Sequence, residues 1–374
     1  MLAYFTVFAI LFLFSVFSFV NGNGMSLYIK EFILFVFLTL FIGTRTMGPD
    51  LEEYETYYRD IPYLLDYIRN PLNYLSLQID PIYVLINAFF RDILCLSFES
   101  FILFFSCIFV FFAFYGIHKY SPLPIISILI YFYYGYFSGF SAIRQVMAAA
   151  IFFYSIDFIL NKEFRKFLIT TIFILFLHSS SIILFPLYFI LNKKIQTKYV
   201  LLLISLSVIT SLLNLFSFIT QLTASFFDSI PILSFVSNKI DTYSNLNEGS
   251  SFGGSITIEW LAIIFITTYL RDVLEEDYGK VFNVFYNLFW IGFVIFSIFS
   301  SIGDFGRIII YFKMAYLVLI PMMVGQLAFH KKLIAVFIIS LVVGIRIFVS
   351  IEGDVINNDG VTSRYLPYSS WLVK

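Results

Sequence analysis

Long apolar runs, separated by short polar turns, recur along the whole of this 374-residue chain, and they limit its folding choices more than any other feature. Met1 to Val20 contains no charged residue. A bilayer core of about 30 Å is crossed by about 20 apolar residues in helical form. Lipid offers no partner to an open backbone, so such runs fold as helices. Composition points the same way. Charged residues make up 13% of the chain, against about 25% in soluble domains, and its 50 Phe exceed what a watery surface can hide. The expected class is all-α: a polytopic integral membrane protein forming a single transmembrane domain over residues 1–374. A net charge of −1 gives no field for nucleic acid, and none is expected as a partner. Cys95 and Cys107 form neither a disulfide framework nor a metal spacing.

The first run has no preceding Lys or Arg and no small-residue cleavage site after it, so it reads as a retained span. Further spans are expected at about 32–44, 98–117, 122–137, 143–160, 199–219, 256–270, 281–300, 307–329 and 333–350, which makes about ten. External loops are expected at about 45–97 and 218–255, with an external tail at 351–374. Residues 167–191 are apolar but basic at both ends: Lys162, Arg165 and Lys166 before, Lys193, Lys194 and Lys198 after. One span would put a basic cluster outside, against the positive-inside tendency. Two half-helices broken near His178-Ser179-Ser180-Ser181 keep both clusters inside. Such re-entrant breaks are tolerated where they line a cavity.

With that hairpin, both termini lie outside and the basic residues sort by type. Lys30, Lys119, Lys162, Lys166, Lys193, Lys194, Lys198, Lys280, Lys331 and Lys332 fall on the cytoplasmic side together with Arg165 and Arg271, and Lys239 and Lys374 fall outside. Arg45, Arg59, Arg69, Arg91, Arg144, Arg307 and Arg364 fall outside or at outer span ends, and Arg346 lies near the outer end of the last span. A point charge suffices to set topology, whereas the arginine fork suits phosphate and carboxylate. The external face therefore reads as one built to hold an anion, with interfacial snorkelling as the plainer account of some of these residues.

The first external loop runs Arg45-Thr46-Met47-Gly48-Pro49-Asp50 into an expected interfacial helix, with Pro49 at its first position and acids in its first turn. Asp50, Tyr54 and Tyr57 share one face at i, i+4, i+7. They read either as a sugar platform with a carboxylate at its edge or as ordinary interfacial residues. Asp80-Pro81-Ile82-Tyr83 opens a second short interfacial helix ending near Arg91-Asp92, which reads most simply as a surface element. Gly135 and Gly139 form a small-xxx-small packing step. Arg144, followed by Gln145, opens a span and should face the bundle interior, as an anion site or in a structural ion pair. His178 stands at the proposed break with three serines after it. Asp304 and Arg307 can pair locally, Tyr311 lies one turn from Arg307, and Arg346 has no acid near it in sequence.

No phosphate-binding loop, dinucleotide fingerprint, zinc-protease, CxxC or nucleophile-elbow motif is present. The three His, at 118, 178 and 330, do not form a metal spacing. No ATP-driven pump is encoded.

The ordered set of motifs resembles the EpsG family, a branch of the Wzy-type polysaccharide polymerases. It comprises Arg45-Thr46-Met47-Gly48-Pro49-Asp50 with Tyr54, Asp80-Pro81-Ile82-Tyr83, Ile143-Arg144-Gln145, Phe176-Leu177-His178-Ser179-Ser180, and Gly306-Arg307-Ile308 with Tyr311. The resemblance runs from about residue 30 to the tail. Where the family usually has Thr or Ser-Asp-Tyr, this chain has Pro49-Asp50-Leu51. The resemblance implies glycosyl transfer between undecaprenyl-pyrophosphate-linked repeat units at the outer face of the bacterial cytoplasmic membrane, without cofactor or metal. It implies lipid-linked oligosaccharide and membrane lipid as partners, together with a flippase and a chain-length regulator. On this reading Arg144, Arg307 and Arg346 bind the diphosphate. His178 and Asp50 are candidates for accepting the acceptor proton. Asp50 and Tyr54 bind sugar, and Arg45, Tyr57, Gln145 and Tyr311 are further substrate contacts. A flippase of lipid-linked sugar and a glycan ligase of the same face are the rival readings.

Overall fold

The computed structural model describes residues 1–20, 26–70, 79–215, 254–299, 308–357 and 363–372. Among them, five helices are long and apolar enough to cross a membrane: Leu2–Phe19, Phe98–Tyr120, Ile143–Leu160, Arg271–Phe299 and Phe329–Ile356. Shorter apolar segments lie at Pro124–Phe140, Ser179–Leu191, Thr197–Leu212, Ser255–Tyr269 and Ile310–Gly325. The chain is an all-helical membrane protein. Five of the expected spans thus coincide with helices of crossing length, and several others are shorter than a simple crossing requires. Large apolar side chains such as Phe265, Ile169 and Phe337 project from these helices into the surroundings, as lipid-facing residues do.

Two compact units divide the chain, residues 1–185 with 316–374, and residues 186–315. The first begins with α1 (Leu2–Val20), α2 (Leu27–Gly43), α3 (Leu51–Asp60), α4 (Leu64–Arg69), α5 (Pro81–Ala88), α6 (Phe98–Tyr120), α7 (Pro124–Tyr131), α8 (Ile143–Leu160) and α9 (Phe164–Leu177). Its spine is a row in which α2 packs on α6, α6 on α8 and α8 on α9. Small residues permit the close approach. A Cβ on Gly116 of α6 would stand 2.5 Å from the Phe153 ring of α8. One on Gly43 would stand 2.8 Å from Leu103. Gly139 is equally confined, 2.9 Å from Ile42, which bears out the packing role of that half of the small-residue step.

Three sequence expectations shift. Pro49 does not open α3: Gly48 (φ 137) and Asp50 (φ 62) both adopt left-handed backbone, so the chain turns sharply and the helix starts at Leu51. The expected 122–137 span loosens after Tyr131 into a π turn, Phe132–Tyr136, and a 3₁₀ turn, Phe137–Phe140. The expected 307–329 span is broken by the turn at 314–315.

Ion pairs mark one end of the spine. Lys119 meets Asp157 at 2.7 Å and His118 meets Glu31 at 2.8 Å, both at the C-terminal end of α6. At the opposite end of α6 and α8, the tail folds back on the first loop. Thr46 N–H donates to the Ser369 carbonyl, Trp371 N–H donates to that of Thr44, and Arg45 and Ser370 form an antiparallel bridge. Tyr368 stacks on Phe41 at 4.4 Å, and Arg364 pairs with Asp354.

In the second unit, α10 (Leu187–Leu191), α11 (Thr197–Leu212), α12 (Ser255–Tyr269), α13 (Arg271–Phe299) and α14 (Ile310–Lys313) follow. Trp260 stacks on Phe289 at 4.9 Å. Asn287 donates to the carbonyls of Leu191, the last residue of α10, and of Lys193 just beyond it, and Lys194 pairs with Glu275. The chain returns to the first unit with α15 (Tyr316–Gly325) and α16 (Phe329–Asn357).

Candidate active site

The break at His178 is present as the flanking charges required. α9 ends at Leu177, His178 is extended (φ −157, ψ 113), and a 3₁₀ turn follows over Ser179–Leu184. An extended residue followed by three serines leaves N–H groups outside the helical ladder, free for other acceptors.

One of those groups finds the carboxylate of Asp80. Asp80 precedes Pro81 as the N-cap of α5, yet its side chain makes no capping bond to its own helix. Instead Oδ1 accepts the Ser179 N–H at 3.0 Å, and Oδ2 accepts an Arg144 Nη1–H at 2.9 Å. His178 Nδ1 lies 3.6 Å from the same Oδ2. That nitrogen is buried and makes no hydrogen bond. Arg144 sits in the first turn of α8, where the helix dipole disfavours a cation, and the Asp80 carboxylate compensates. Its guanidinium lies over the rings of Tyr83 at 5.2 Å and Tyr54 at 6.0 Å. The next residue, Gln145, is buried and reaches the Ser180 hydroxyl at 3.5 Å. Asp80, Arg144 and His178 keep part of their side-chain surface open, 13–22%, so the cluster is reachable from the molecular surface.

Tyr54 is buried and donates to the Ser141 carbonyl at 2.9 Å. Burial raises its pKa, with Arg144 opposing, so the phenol stays neutral at physiological pH. Tyr57 is half-buried and donates to Glu53. Asp50, half-buried, is the left-handed cap before α3. Arg45 is buried and donates to the carbonyls of Ile42 at 2.6 Å and Gly139 at 3.1 Å, with its guanidinium over Phe140. Burial lowers its pKa to about 10, so it remains a cation, used as a strut between the end of α2 and the turn before α8.

Of the expected arginine trio, the structure describes Arg144 and Arg346. Arg307 lies outside the described residues. Arg346 is half-buried on α16, and Tyr311 is buried in the second unit. The described partner of Arg144 is a carboxylate, Asp80, which the sequence reading left on a plain surface helix. The signal available was Asp before Pro, a cap position whose side chain is free to turn elsewhere.

An apolar groove of about 410 Å³ adjoins the cluster. Leu177, Met147 and Ile86 line it from α9, α8 and α5, and Phe104, Ile169 and Phe173 continue it where they are exposed on the flank. A second hollow lies by Arg59, Tyr63 and Asp66. Its cation Arg91 is fully engaged, donating to the carbonyls of Tyr58, Arg59, Ile61 and Pro62 and pairing with Asp92.

A family model described as the EpsG family matches residues 28–370. No curated protein and no solved structure matches the chain.

Proposed function

The chain belongs to the EpsG family of Wzy-type polysaccharide polymerases, and from that premise we propose that it joins polyprenyl-diphosphate-linked repeat units by glycosyl transfer at the outer face of the bacterial cytoplasmic membrane. The observation that carries the reading is a cation, a carboxylate and an imidazole meeting at a helix break beside an apolar groove. That arrangement suits an amphiphile with a phosphate headgroup and a hydrocarbon tail. The cluster lies at the end of α8 opposite the Lys119–Asp157 pair. Since Lys marks the cytoplasmic side, this supports an external site.

In the reaction, the acceptor hydroxyl oxygen attacks the anomeric carbon of the donor glycan. The bond from that carbon to the diphosphate oxygen breaks, and the lipid diphosphate departs with the bonding pair. Arg144 stabilises the charge that builds on the departing oxygens, an effect worth roughly 3–4 kcal/mol per positioned donor. The hydroxyl proton passes to His178 Nε2 and then to solvent. Tyr54, Tyr57 and Asp50 flank the approach as sugar contacts, and Gln145 holds the serine turn.

A flippase needs polar groups along its path. Below Gln145, α8 buries Val146 to Phe153, all apolar, which favours a transferase. In a strain lacking the gene, Arg144→Ala and His178→Ala proteins should reach the membrane yet give no long polymer, with single lipid-linked units accumulating outside. Normal chain-length ladders from both variants would sink the proposal.

A further inference from the structure

We propose that Asp80 is a positioning residue that couples donor binding to activation of His178. The inference rests on the reading above, with Arg144 as the diphosphate site. Asp80 is the charge that Arg144 holds in the structure, at 2.9 Å, so any anionic headgroup reaching that guanidinium competes with it. The same carboxylate oxygen stands 3.6 Å from the buried, unbonded His178 Nδ1. That distance is just beyond a hydrogen bond. Oδ1 stays anchored on the Ser179 N–H. When a diphosphate takes Arg144, Asp80 loses its cation and turns to the nearest donor available, the His178 Nδ1–H. That bond fixes the tautomer with Nε2 free to accept a proton and stabilises the imidazolium that follows. Before the donor arrives, the carboxylate is drawn to Arg144 and the ring is left unoriented. Base activation therefore waits for the donor, and a free hydroxyl, water included, is not activated at an empty site.

The test uses full-length protein in proteoliposomes, with lipid-linked repeat units as substrate and inorganic pyrophosphate as the binding probe. Asp80→Asn should bind pyrophosphate about tenfold more tightly, because the competing charge is gone. Its kcat should fall about 10²- to 10⁴-fold without a rise in donor KM, because the Asn amide N–H forces His178 Nδ1 to accept and leaves the proton on Nε2. In the His178→Ala background, the same substitution should change kcat less than about threefold. Weaker pyrophosphate binding, or equal kcat losses in both backgrounds, would overturn the proposal, since a carboxylate that merely holds the fold gives those results. A measurement on wild-type protein stands independently of the variants. The ¹⁵N-histidine spectrum should move the neutral His178 ring toward its Nδ1–H form when pyrophosphate binds, and an unchanged tautomer would reject the coupling. If wild-type protein makes no polymer, the polymerase reading fails, while the pyrophosphate and tautomer measurements still decide the role of Asp80.

Discussion

Removing Arg144 alone strands a carboxylate, and the structure allows the cost to be worked out. The Arg144 and Asp80 side chains are 22% and 13% exposed. This places the pair between surface pairs, worth about 0–1 kcal/mol, and buried ones, whose rupture costs about 3–5 kcal/mol. A value of about 2–3 kcal/mol is appropriate here. The rings of Tyr54 and Tyr83 under the guanidinium add about 0.5 kcal/mol each. Arg144→Ala should therefore destabilise by about 3–4 kcal/mol. The paired change Arg144→Gln with Asp80→Asn removes both charges and leaves a neutral hydrogen bond, so it should come within about 1 kcal/mol of wild type. Arg144→Lys keeps the charge, with a similarly small cost of about 1 kcal/mol. Denaturation in detergent micelles reads stability, and gel ladders of polymer read activity. Stability should recover in the paired variant while polymer does not. Long polymer from that variant would refute the role given to the guanidinium charge. An Arg144→Ala protein as stable as wild type would refute the ion pair itself.

Three further outcomes test the architecture. Burial works against the Asp92 carboxylate, but hydrogen bonds from Arg91 and the Leu64 N–H outweigh it and hold its pKa below the usual range. The stabilisation is therefore present above the unfolded value of about 3.9 and is lost as pH falls through the lower folded value. Asp92→Asn should cost about 1–2 kcal/mol at neutral pH, and that cost should shrink toward zero in acid; a pH-independent cost would contradict the assignment. Gly116→Ala drives a methyl into the Phe153 ring and should destabilise by about 1–3 kcal/mol, with Phe153→Leu restoring most of it; unfolding curves unchanged by Gly116→Ala would exclude this contact. Thr46→Cys with Ser369→Cys places two thiols where hydroxyls now meet at 2.6 Å. In cells the pair should form a disulfide, detected as a mobility shift on non-reducing gels, if this end of the protein faces an oxidising compartment; thiols that stay reduced would move that end to the cytoplasm.

The helix break was legible because charge constrains topology: basic clusters on both sides of residues 167–191 required a break, and a histidine with three serines offered the place. Arg144 was legible as a cation opening an apolar helix, which must face protein rather than lipid. Asp80 was not, since a cap before proline has a complete local explanation. Its partners lie 64 and 99 residues away, beyond any local pattern. Arg45 is a different case. An arginine after an apolar helix reads as a ligand for an anion, but its neighbours Ile42 and Gly139 offer carbonyls that bury it as a strut. The tail pairing to Thr44 and Thr46 has the same cause, being a bridge between the two ends of the chain.

Purified protein in liposomes, supplied only with lipid-linked repeat units, puts the central claim to its most direct trial. One lipid diphosphate should be released for each glycosidic bond formed, and His178→Ala should slow both by the same factor, leaving only residual turnover. Repeat units that cross the bilayer without being joined, or polymer that grows equally well on protein lacking His178 and Arg144, would contradict the account.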